Sequence, residues 1–143
     1  MYKIESILLV DDDFASNYLT EMIIKDMNFA GPVYSAQDGK AALDVMKKYC
    51  LPSNEELQQT CPDLILLDIN MPVMDGFEFL DEYEKLQINK ETPTVIILLT
   101  TSTNIRDVEK AKKYNVKAYL EKPLSEDKLK KALAGYQLKG LGD

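Results

Sequence analysis

The chain contains no histidine. Imidazole is therefore unavailable to it as a general base, a metal ligand or a phosphoryl carrier, and any chemistry of that kind must come from a partner. Cysteine is almost as scarce. Cys50 and Cys61 are the only two, and a pair without a repeated spacing builds neither a zinc site nor a disulfide framework, so no structural disulfide is expected. Long apolar runs are missing: no segment approaches the ~20 residues that span a bilayer, and no basic stretch followed by an apolar signal region opens the chain. The expectation is a cytoplasmic protein without membrane contact. Positive charge is in deficit, with 17 Lys and Arg against 24 Asp and Glu and a net charge of -7, which argues against a nucleic-acid binder relying on a basic face. A phosphate-cradling glycine-rich loop ending in lysine and serine or threonine is absent too, so nucleotide hydrolysis has no support.

What is present is an alternation of strand and helix signals, five of each, the pattern of a parallel sheet with helices on both faces. At 143 residues the chain fits one domain, 1–143, since domains cluster near ~100 to 150 residues. Strands are predicted at about 4–10, 33–36, 64–67, 94–99 and 117–121. Helices are predicted at about 14–27, on the segment carrying Ala41, Ala42, Val45, Met46 and Tyr49, and at about 77–86, 105–114 and 126–134. Gly31-Pro32 is read as the stop of the first helix and Asp38-Gly39 as a turn, while Asn104 and Ser125 are read as helix caps. Residues 51–62 are polar, hold a proline near each end, and are long for a helix-to-strand connection, which marks a surface excursion.

The strand ends carry the chemistry. Ile7 to Val10 runs directly into Asp11, Asp12 and Asp13, and Leu64 to Leu67 runs into Asp68. Open α/β sheets bind ligands at the carboxyl edge, where Asp11, Asp12 and Asp68 would lie together with Thr100 and Lys122. Three carboxylates at close range raise one another's pKa unless a cation intervenes. An oxygen-only donor set with room for water suits Mg2+, or Mn2+ in its place. Asp68 could then attack phosphorus, Lys122 could supply a mobile point charge and the Thr100 hydroxyl a hydrogen bond. Each feature alone has a plainer reading: the acidic run as a helix cap, Met71-Pro72 and Asp75-Gly76 as turn punctuation, Thr100 to Thr103 as a solvated loop, Lys122 as a surface lysine. Five such features at corresponding ends of successive strands are hard to attribute to turns alone.

The runs LLVDDD, LLDINMPVMDG, LLTTS and AYLEKP resemble the receiver domain of bacterial two-component response regulators, in order and over essentially the whole chain. The resemblance implies a flavodoxin-like, doubly wound five-stranded sheet of order 2-1-3-4-5 with five helices, and Asp68 as phosphoacceptor. It further implies that Asp12 and Asp68 bind Mg2+ directly, that Asp11 contributes through water, and that the Asn70 backbone carbonyl completes the ligands. Asp13 lies outside the matched pair and its role stays open. Thr100 and Tyr119 resemble the family's switch pair, a two-state element biased by the new charge on Asp68. Lys122-Pro123 resembles a junction that is usually cis in this family. Asn70 and Ser102 stand where residues influence phosphoryl hydrolysis.

The expected function is to accept a phosphoryl group from a histidine kinase or a histidine phosphotransfer protein and to switch a face that binds a downstream protein. No effector domain is expected, nor an enzyme acting on other molecules, although self-catalysed phosphorylation and dephosphorylation of Asp68 are compatible with the site. A monomer, or a weak dimer formed on phosphorylation, is expected. The alternative is a constitutive, unphosphorylated binding module. A metal-dependent phosphatase is disfavoured, because Asp68 and Asn70 do not supply the paired aspartates of haloacid-dehalogenase-like enzymes.

Overall fold

The computed structural model describes residues 6–28, 31–51, 61–88, 94–101 and 104–134. Its strands are β1 (Ile7–Val10), β2 (Val33–Ala36), β3 (Leu64–Leu67), β4 (Val95–Thr100) and β5 (Ala118–Glu121), all parallel, in the order β2-β1-β3-β4-β5. They alternate with α1 (Phe14–Met27), α2 (Gly39–Cys50), α3 (Gly76–Leu86), α4 (Ile105–Ala111) and α5 (Glu126–Leu133). This is the flavodoxin-like order expected from the sequence.

Side chains alternate across a strand, so each strand feeds two cores. Leu8, Val10, Ile65, Leu67, Ile96 and Leu98 face one layer, with Ala42 and Met46 of α2, Phe77, Phe79 and Leu80 of α3, and Ala111 of α4. Ile7, Leu9, Leu64, Leu66, Ile97 and Leu99 face the other, with Ile24 of α1 and Leu129 and Leu133 of α5. β1, β3 and β4 are buried along their whole length, which is why they read as unbroken apolar runs instead of alternating ones. Among the described residues no helix is long and apolar enough to cross a membrane.

Helix boundaries follow capping chemistry. The Asp38-Gly39 and Asp75-Gly76 pairs are not turns between elements. In each, the aspartate is an N-cap whose carboxylate accepts a backbone N–H, from Ala41 and Glu78 respectively, and the glycine is the first helical residue. Asp75 and Glu78 complete a reciprocal capping box. Asn104 and Ser125 cap α4 and α5 as expected. α1 ends at Asn28, in the left-handed conformation, ahead of the predicted Gly31-Pro32 stop. α4 is shorter than predicted: after Ala111 the chain tightens into i→i+3 bonds at Lys112, Lys113 and Tyr114.

A further expectation is overturned. Cys50 and Cys61 form a disulfide, with their Cα atoms 5.0 Å apart. α2 runs back from the carboxyl edge of the sheet to its amino edge, so its last residue, Cys50, arrives over the start of β3, just beyond Cys61. Cysteine spacing alone does not show that the ends of the 51–62 connection meet; the crossover topology does. The body of that connection, residues 52–60, lies outside the described residues, as does Ser102.

Candidate functional site

Beyond β1, β3 and β5 the ladder continues for one residue, and those residues are Asp11, Asp68 and Lys122. The Asp11 N–H donates to the Ala36 carbonyl at 3.0 Å, the Asp68 N–H to the Val10 carbonyl at 2.9 Å, and the Lys122 N–H to the Thr100 carbonyl at 2.8 Å. Their backbones are thus held as firmly as the sheet, which suits groups that must be placed to a fraction of an ångström.

Asp11 and Asp68 are buried and Asp12 is exposed; one carboxylate oxygen from each lies within 4.8 Å of the others. The Lys122 ammonium donates to Asp11 Oδ2 and lies 3.4 Å from Asp68 Oδ2. Burial lifts the Asp68 carboxyl above the ordinary carboxylate range, and the Asp11 charge adds to the rise; the Lys122 charge and the Asn70 N–H, 3.3 Å from Asp68 Oδ1, oppose it without cancelling it. Burial works against the Lys122 ammonium, yet its hydrogen bond to Asp11 and the charges of Asp68 and Asp11 leave its pKa raised. The donor set offers hard carboxylate oxygens only, one at an exposed residue, and fits a hydrated Mg2+ ion better than a soft metal.

The remaining acid behaves differently. Asp13 accepts from the Ala15 N–H and caps α1, while its own N–H donates to Asp11 Oδ1. The plain capping reading of the acidic run therefore holds for its third member. Thr100, fully buried, ends β4. Tyr119 is half-buried against the core layer shared by α2, α3 and α4, paired with Leu98 in register, and so diagonal to Thr100 on the same sheet face. The Lys122-Pro123 peptide is cis. Asn70 is exposed immediately after Asp68 and Ile69.

Three features of the site carry no signal in the sequence. The Gly76 N–H donates to the Ile69 carbonyl at 2.9 Å, and a Cβ added at Gly76 would meet the Asp68 carbonyl oxygen at 2.5 Å; only glycine lets the start of α3 sit this close behind the site. Val73, 78% exposed, has φ 67°, with the Met74 N–H donating to the Pro72 carbonyl across it. A β-branched residue there is strained. Asn17 of α1 donates through Nδ2 to the Asp11 carbonyl at 3.0 Å.

Comparison with known proteins adds an independent finding. The chain is 35% identical over 127 residues to the Probable methanogenesis regulatory protein FilR2 of Methanothrix harundinacea, covering 89% of this chain and 77% of that one. It is 33% identical over 131 residues to Response regulator Rcp1 of Synechocystis sp., covering 92% and 85%. The crystal structure of a two-component response regulator from Cytophaga hutchinsonii superposes with a TM-score of 0.74 at 30% identity, covering 91% of this chain and 94% of that one. The family model described as Response regulator receiver domain matches residues 7–134, a span that holds the acidic cluster, Thr100 and Lys122, and the chain belongs to that family.

Proposed function

We propose that this receiver domain accepts a phosphoryl group on Asp68 from a histidine kinase or a histidine phosphotransfer protein, in a reaction dependent on Mg2+, and answers by altering the face built by α4, β5 and α5. The carrying observation is the Lys122 ammonium placed between Asp11 and Asp68. An Asp68 oxygen attacks phosphorus, the P–O bond forms as the P–N bond to the donor imidazole breaks, and the imidazole leaves with the bond's electron pair. Lys122 follows the phosphoryl oxygens as a point charge, and the Thr100 hydroxyl donates to another of them. Asp12 and Asp68 directly, Asp11 through water, and the Asn70 carbonyl are the residues that would hold Mg2+. When bound, the ion neutralises charge on the incoming phosphoryl group.

The donor must come from outside, since the chain has no histidine. A groove of about 590 Å3, lined by Leu19, Met22 and Ile23 of α1 together with Thr101, Lys122 and Leu124, borders the site at Lys122. Phe14, Tyr18, Leu19 and Met22 expose apolar surface along the same helix, and we assign this flank to the histidine-bearing donor. On the output side, Thr100 and Tyr119 act as the switch pair.

The test is intact-mass analysis after incubation with acetyl phosphate and Mg2+, beside Asp68→Asn and a chelator control. A gain of one phosphoryl group that requires both Asp68 and the metal is expected. No gain by a folded protein that binds Mg2+ would assign a constitutive binding module instead.

A further inference from the structure

Among the described residues β5 is the last strand of the sheet, so carbonyls on its outer side have no described strand to pair with. Beyond it, Lys128 in the first turn of α5 reaches back over the connection. Its Nζ donates to the Glu121 carbonyl and to the Pro123 carbonyl, each at 2.9 Å. Those two carbonyls flank Lys122 on either side. The Lys122 N–H is meanwhile tied to the Thr100 carbonyl at 2.8 Å. The main chain that carries Lys122 is thus gripped from both directions, by β4 through its own amide and by Lys128 through its neighbours' carbonyls.

Local preference does not explain this lysine. A positive charge in the first turn of a helix opposes the helix dipole, and the other two residues of that turn, Glu126 and Asp127, are acidic as the dipole favours. The Lys128 backbone N–H already serves the cap by donating to Ser125 Oγ at 3.1 Å. Its side chain contributes nothing further to the cap and is spent on the two carbonyls beside Lys122.

We infer that Lys128 is a positioning residue for phosphoryl transfer: by clamping the Glu121 and Pro123 carbonyls it fixes the backbone from which Lys122 reaches Asp68. This rests on the roles proposed above for Asp68 and Lys122. A positioning role and a merely structural one predict different things. If Lys128 acts through Lys122, losing it slows phosphoryl transfer but does not weaken Mg2+ binding, because Lys122 competes with a cation for Asp11 and Asp68. If Lys128 only holds the fold, its loss lowers melting temperature and metal affinity together.

The experiment compares the wild-type chain, Lys128→Ala, Lys128→Met, Lys128→Arg, Lys122→Ala and the double variant Lys122→Ala/Lys128→Met. The rate of phosphorylation by acetyl phosphate is read by intact mass, Mg2+ affinity by calorimetry on the metal-free proteins, and folding by thermal melt. Lys128→Met keeps the aliphatic stem and decides the matter should Lys128→Ala fold poorly. The expected result is a rate loss of about tenfold in Lys128→Met, short of the ~100-fold that a 1 Å misplacement of a reacting group can cost. Mg2+ affinity should be equal or tighter, Lys128→Arg should recover most of the rate, and the second substitution should have no further effect once Lys122 is alanine. A wild-type rate in Lys128→Met, a weakened Mg2+ affinity, or the same proportional loss in the Lys122→Ala background would each overturn the inference. If the wild-type chain gains no phosphoryl group, the assignment of Asp68 fails first and the role of Lys128 falls with it.

Discussion

Gly76 stands directly behind Asp68: a methyl group on its Cα would lie 2.5 Å from the Asp68 carbonyl oxygen and 2.9 Å from the Ile69 Cα. Both contacts are with backbone, which cannot swing aside as the end of a side chain can. Gly76→Ala should therefore cost about 1 to 3 kcal/mol of stability through overpacking. It should also slow Asp68 phosphorylation by more than an equally destabilising core substitution such as Leu133→Ala, because the displaced atoms belong to the reacting residue. Denaturant midpoints and acetyl phosphate kinetics on the two variants check this; equal losses of rate at equal stability would refute it.

Asp68 carries a cost in the resting fold. Burial raises its pKa above the ordinary carboxylate value despite Lys122, so the folded chain holds that proton more tightly than the unfolded chain does. Stability attributable to this group then falls as pH rises from the unfolded value through the folded one, and the full penalty stands above both. Asp68→Asn should be more stable than wild type at neutral pH, with the advantage shrinking as acid protonates Asp68. Urea midpoints for the two proteins across the acid-to-neutral range give the answer. An asparagine variant that is less stable at neutral pH would show that the pair with Lys122 outweighs the burial cost.

Reduction of the Cys50–Cys61 bridge should lower stability by about 3 kcal/mol, the loop-closure value for a short cross-linked segment. The bridge lies at the amino edge of the sheet, across from Asp68, so the phosphorylation rate should hardly change. Urea unfolding with and without a dithiol reductant measures the first effect. The double variant Cys50→Ser/Cys61→Ser should match the reduced protein and ignore the reductant.

Much of the site was legible because buried parallel strands announce themselves as apolar runs, and the polar residue that ends such a run has few places to go. Asp11 and Asp68 could be brought together on that ground, whereas Lys122 follows the half-buried β5 and is placed beside them only by the alternation of strands and helices. The same reasoning could not separate Asp11 from Asp13, which lie two residues apart in one acidic run: one carboxylate faces Lys122 while the other caps α1. Nor could it tell an Asp-Gly turn from an Asp N-cap followed by a helical glycine, since both begin with the same dipeptide and differ only in what the next turn of backbone does. Gly76, Val73 and Lys128 depend on the path of short local connections: Gly76 packs against Asp68 and Ile69, Val73 sits in a turn closed from Met74 to Pro72, and Lys128 reaches back to Glu121 and Pro123. The Cys50–Cys61 pair depends on the topology, a contact created by the direction in which α2 returns.

β3 is the middle strand of five, hydrogen-bonded to β1 on one side and β4 on the other, and walled by apolar side chains above and below. A residue at its end is mounted on the least yielding part of the molecule. Under the proposed phosphorylation of Asp68, the added charge would meet rigid structure beneath it, and the accommodation would fall to the periphery. The sheet is asymmetric in this respect: Thr100, Lys122 and Tyr119 all lie toward β5, and β2 and its helix contribute none of them. The rigid mount is central, and the face proposed to respond lies to one flank.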